Sequence, residues 1–136
     1  MSVMLKVDRK KDTENILQEE ILQERAAVLG RAGEKLAAAL EMMRSIERVI
    51  EERLQNLSAL VEKGESKHHH IELVSVRKKM VKEINGEIGK YNHAREYAKL
   101  RYYYLIVTRE AMGMRRHHWV EEIYKIPSRK KHLRDI

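Results

Sequence analysis

Residues 22–61, LQERAAVLGRAGEKLAAALEMMRSIERVIEERLQNLSALV, decide the fold of this chain. Leu22, Leu29, Leu36, Met43, Ile50 and Leu57 recur every seven residues, and Ala26, Gly33, Leu40, Leu54 and Val61 join them at alternating three- and four-residue offsets. Such a seam belongs to a helix packed along its whole length against another helix. Asp12 or Thr13 can cap its start, with Glu14 in the first turn, so the pattern predicts a helix over about 13–62.

Outward from that seam, Lys63-Gly64-Glu65-Ser66 reads as a turn, with Gly64 suited to positive φ and Ser66 to the next cap. A second seam follows in Val74, Val81, Ile84, Ile88, Tyr91, Ala98, Tyr102, Leu105 and Met112, and stops at Gly113. Two seams of similar length across one turn predict an all-α fold, a long antiparallel coiled-coil-like hairpin over 13–113. Residues 1–12 would pack at its open end. Residues 114–126 would form a short helix with Trp119, Val120 and Ile123 inward, stopped by Pro127, and 127–136 a mobile basic tail.

One proline and six glycines in 136 residues leave too few turns for a strand-rich fold. The absence of cysteine excludes disulfides and thiolate metal sites, and suits a reducing, cytoplasmic setting. No apolar run approaches membrane-spanning length. Charge divides unevenly: residues 1–65 carry 11 Lys/Arg against 13 Asp/Glu, and residues 66–136 carry 17 against 8. The basic half could attract an acidic partner or simply its own acidic half.

Ala26, Gly30, Gly33 and Ala37 form a stripe of small residues. Folding about residue 65 would set Gly30 and Gly33 opposite Ala94 and Ala98, and Gly86 and Gly89 opposite Met42 and Met43, allowing close approach. The alternative is that Gly30 and Gly33 break the first helix.

No set of residues reads as a catalytic or cofactor site. His68-His69-His70 with Glu65 and Glu72 has one Glu-x-x-His pair, but no second such motif completes a metal centre. His117 and His118 before Glu121 and Glu122, and His93 before Glu96, read as helix-surface pairs. No Ser–His–Asp set is convincing, since the aspartates, Asp8, Asp12 and Asp135, all lie near the ends. Gly86-Glu87-Ile88-Gly89-Lys90 lacks the spacing of a phosphate loop.

The unabsorbed pattern is apolar and basic surface. Ile21, Val28, Ala32, Ala39 and Ile46 add a second apolar row to the first helix, and Leu100, Tyr103 and Val107 add one to the second. A lone hairpin would leave both wet. Lys90, His93, Tyr97, Arg101, Tyr104 and Thr108 form a further stripe, fit either for an interface or for bases and phosphates. The sequence therefore predicts a non-enzymatic interaction protein, without metal or cofactor, that self-associates into a bundle, most simply a dimer. Ile21, Val28, Ile46, Tyr97, Leu100, Tyr103, Tyr104 and Val107 would form the interface. Nucleic-acid binding is the alternative, through Lys90, Arg95, Lys99, Arg101, Arg115, Arg116, Arg129, Lys130 and Lys131.

Overall fold

The computed structural model of the chain describes residues 2–63 and 70–134, with side chains described from Arg9 in the first helix and from Glu72 in the second. Every secondary-structure element among these residues is a helix: α1 (Ser2–Lys63), α2 (His70–Ala111) and α3 (His118–Ile123). Helices α1 and α2 pack on each other as the two legs of the hairpin. Most of the expected turn, Gly64 to Ser66, lies outside the described residues.

Helix α1 is longer than its seam implies. It begins at Ser2 and passes through Asp12 and Thr13 without a break. Thr13 Oγ1 donates to the Arg9 carbonyl at 2.8 Å, the back-bond of a threonine inside a helix rather than the contact of a cap. Gly30 and Gly33 do not break it either. At about 1.5 Å per residue, the 62 residues of α1 and the 42 of α2 span roughly 93 and 63 Å. One leg must overhang the other.

The Arg53–Glu83 ion pair, at 3.4 Å, sets the hairpin folding about residue 68 rather than 65. This shift moves Gly30 and Gly33 away from Ala94 and Ala98. A Cβ on Gly30, Gly86 or Gly89 would meet nothing within 4 Å, so those glycines do not mark a close crossing. Gly33 is buried for another reason, since a Cβ there would lie 3.2 Å from the Tyr124 hydroxyl. The same register puts Ala111 level with Arg25 and leaves residues 9–24 of α1 unopposed by α2.

The core is the middle of the hairpin. Leu36, Ala39, Leu40, Met43 and Ile50 from α1 meet Ile84, Ile88, Tyr91, Ala94, Ala98 and Leu105 from α2, with Val120 from α3. Ala39, read from the sequence as part of an outer row, belongs to this core. Removing that much apolar surface from water is the main source of stability. Residues 9–28 of α1 take no part in it and are exposed throughout.

Helix α2 ends where the sequence predicts. Gly113 has φ +85°, Met114 N–H donates to Arg109 O and Gly113 N–H to Glu110 O, both at 2.9 Å. This is a Schellman cap with glycine in the left-handed position. Arg109 then donates to the Arg116 carbonyl at 3.0 Å and to His117 Nδ1 at 3.3 Å, which leaves His117 Nε2–H to face Glu110 at 3.2 Å. His117 therefore pairs with α2 and not with Glu121.

The C-terminal region differs most from expectation. Helix α3 covers only six residues, and of the three expected inward side chains only Val120 is buried. Trp119 and Ile123 are exposed, Trp119 lying against the His118 ring. Six residues give one inward row, and Val120 with Tyr124 one turn later takes it. Residues 124–134 then run back along the hairpin instead of leaving it as a free tail. Tyr124, Ile126 and Leu133 pack against the core.

Candidate functional site

A two-helix hairpin has a groove on each flank, and here the two flanks differ. On the first, residues 126–134 lie as a strap held by two asparagines of α2 one heptad apart. Asn92 Nδ2 donates to Lys130 O at 2.9 Å while Lys130 N–H donates to Asn92 Oδ1 at 2.8 Å. Asn85 repeats the arrangement on Leu133, at 3.1 and 2.7 Å. Arg95 Nε donates to Pro127 O at 2.7 Å.

The physical reason is the strap's own backbone. An extended segment against apolar helices has N–H and C=O groups that need partners. A primary amide offers one acceptor and donors in a single plane, so it pairs with both groups of one residue as a neighbouring strand would. The anchored residues, 127, 130 and 133, recur every third position, as in an extended segment with about three residues per turn. Seven residues of α2 rise about 10.5 Å, close to three extended residues, so the two repeats match.

Side chains complete the seal. Lys130 Nζ lies 4.9 Å from the Tyr91 ring centroid and 3.9 Å from Glu47 Oε2. Burial pushes the Tyr91 hydroxyl above its ordinary pKa, and the Glu47 carboxylate adds to the shift by charge and by accepting its hydrogen bond. Tyr102 is raised for the same first reason, with Glu121 beside it.

The second flank is open. Arg101 follows Asn92 by nine residues, two and a half helical turns, and so faces away from the strap. With Val28, Arg31, Ala32, Lys35, Tyr104 and Thr108 it lines a shallow cavity of about 280 Å³. Arg101 Nε donates to the Tyr97 hydroxyl at 2.9 Å, and its guanidinium lies 5.0 Å from the Tyr97 ring centroid and 5.9 Å from that of Tyr104. These contacts orient the cation without neutralising it. Among the described residues, no carboxylate forms an ion pair with Arg31, Lys35 or Arg101. An acidic, partly apolar ligand suits such a surface.

Of the residues assigned to self-association, Ile21, Val28, Tyr97, Leu100, Tyr103, Tyr104 and Val107 are exposed, and Ile46 is half-buried against the core. Val28, Tyr97 and Tyr104 border the open groove. Leu100 and Val107 face outward between the grooves, and Tyr103, eleven residues after Asn92, lies on the strap's flank. Several cations assigned to nucleic acid are engaged within the chain. Arg95 holds Pro127, Lys99 and Arg129 reach Glu96 at 3.8 and 3.9 Å, Lys90 pairs with Glu87 at 3.1 Å, and Lys130 covers Tyr91. Arg115, Arg116 and Lys131 are exposed.

Arg31 and Lys35 are the groove residues that sequence reasoning missed, as are Asn85 and Asn92 on the other flank. The signal for the asparagines was their heptad spacing, each directly after a seam position, Ile84 and Tyr91. The expected histidine cluster falls mostly on residues 64–69, outside the described ones, and among the described residues no three metal-ligating side chains come together. No helix among the described residues is long and apolar enough to cross a membrane. No family model, curated protein or solved structure matches the chain.

Proposed function

We propose that this chain is a non-enzymatic interaction protein that self-associates through α1 and the open groove, two hairpins completing a helical bundle. One observation carries the reading. Helix α1 overhangs α2 and exposes Ile16, Leu17, Ile21 and Leu22 at 47–64%, and none of the described residues covers them. A helix without tertiary contacts is only marginally stable in water, and clustered exposed apolar side chains are the usual mark of an interface.

Sedimentation equilibrium at micromolar concentration tests it. The reading requires a mass above that of one chain, and a 16.1 kDa species alone rejects it.

Nucleic-acid binding has one observation in its favour, the exposed pair Arg115 and Arg116 beside Trp119 at the open end. Against it, Lys90, Lys99 and Arg129 pair with glutamates of α2, Arg95 holds the Pro127 carbonyl, and Lys130 lies between Tyr91 and Glu47 of α1. Phosphate neutralisation weakens steeply with salt, whereas apolar helix pairing does not. Salt-sensitive binding of mixed RNA or DNA, lost on reversing Arg115 and Arg116 to glutamate, would favour this second reading.

A further inference from the structure

We infer that the occupant of the open groove is the overhanging arm of a second copy, laid antiparallel, so that each chain contributes one acidic arm and one basic groove. The inference rests on the self-association just proposed and specifies its surface and direction. Three features of the chain converge on it.

The first is charge. Between Lys11 and Arg25 every charged residue of α1 is acidic: Asp12, Glu14, Glu19, Glu20 and Glu24, all exposed. The groove holds Arg31, Lys35 and Arg101, none of them paired with a carboxylate among the described residues. The arm has the charge that the groove lacks.

The second is a shared face. Leu17, Ile21, Glu24, Val28, Arg31 and Lys35 follow one another at offsets of four, three, four, three and four, which keeps them on one stripe of α1. Val28, Arg31 and Lys35 line the groove, so Leu17 and Ile21 continue the groove wall along the arm.

The third is symmetry. Two copies of α1 crossing antiparallel between Glu24 and Val28 set Leu17 against the partner's Lys35, Ile21 against the partner's Arg31 and Glu24 against the partner's Val28. Glu20 and Glu24 then flank the partner's Arg31, and the stem of the partner's Lys35 covers Leu17. The contact repeats itself under the two-fold axis and closes. Parallel pairing would instead set acid on acid and base on base.

A charge-swap experiment on the full chain reads this directly. The arm variant carries Glu14→Lys, Glu20→Lys and Glu24→Lys; the groove variant carries Arg31→Glu, Lys35→Glu and Arg101→Glu. Alone, each sets like charge on like charge in both contacts and should lose at least ten-fold in dimer affinity by sedimentation velocity. Mixed in equal amounts, the arm of each meets the groove of the other with opposite charge twice over, and the dimer should return. Helicity by circular dichroism checks that both variants stay folded.

Should either variant unfold, the cysteine-free chain offers a second route. Mixed Leu17→Cys and Lys35→Cys chains should form a disulfide with each other on oxidation. Three results overturn the antiparallel pairing while leaving self-association standing: variants that dimerise alone, an equimolar mixture that stays monomeric beside a dimeric native chain, or Leu17→Cys linking only to itself. A native chain that is monomeric removes both.

Discussion

Asn92 binds both backbone groups of Lys130, giving one hydrogen bond of 2.9 Å and taking another of 2.8 Å, while itself only 6% exposed. Asn85 does the same to Leu133 from a half-buried position. The strap is thus held chiefly by its backbone, which explains how a run rich in lysine and arginine docks on an apolar hairpin. The heads of Arg129, Lys131 and Arg134 stay in water, Lys130 lies over Tyr91, and the peptide groups are satisfied below.

Asn92→Ala should release the strap. It leaves the N–H and C=O of Lys130 without partners at a cost of about 1–3 kcal/mol. Amide exchange at residues 128–134 should quicken, and the melting temperature should fall. Unchanged exchange there would mean that Tyr124, Ile126 and Leu133 hold the strap without the asparagines.

Tyr91 makes the strap sensitive to alkali. Its pKa is raised in the folded chain, so its protonated form is favoured there, and that contribution to stability is complete below the ordinary tyrosine value of 10.0. It is lost as pH rises through the raised folded value. Absorbance titration should show two tyrosines, Tyr91 and Tyr102, ionising later than the rest, and Tyr91→Phe should leave only one of them. If all six tyrosines ionise together near pH 10, the Tyr91 environment described here is wrong.

The glycines separate by position. Gly30→Ala adds a methyl in open space inside a helix and should stabilise by ~0.5–1 kcal/mol. Gly33→Leu drives a side chain into the Tyr124 hydroxyl and should destabilise by ~1–3 kcal/mol. Gly113→Ala forces a left-handed residue into a strained conformation and should destabilise by ~1–2 kcal/mol. Thermal melts decide all three, and a stabilised Gly33→Leu would contradict the placement of Tyr124.

The helical hairpin was legible because Leu22 to Leu57 and Val74 to Met112 declare their period without reference to anything distant. The strap was not. Ser128 to Arg134 has the composition of a solvated terminus, and its order comes from two asparagines some forty residues earlier, whose role appears only when the chain is folded. The start of α1 was missed for a related reason, since Thr13 serves equally well as a cap or as a back-bonded helical residue. At the open groove, the Tyr97, Arg101 and Tyr104 stripe was visible at helical spacing. Arg31 and Lys35 joined it only through the register fixed by Arg53 and Glu83.

Amide hydrogen exchange along α1, followed at increasing protein concentration, tests the central claim most directly. Self-association over the arm predicts that residues 9–24 exchange slowly, and that their protection rises with concentration while that of the core around Leu36 and Met43 does not. Fast exchange of the arm at every concentration, with a protected core, would mean that α1 overhangs the hairpin as a bare helix and that no second copy covers it.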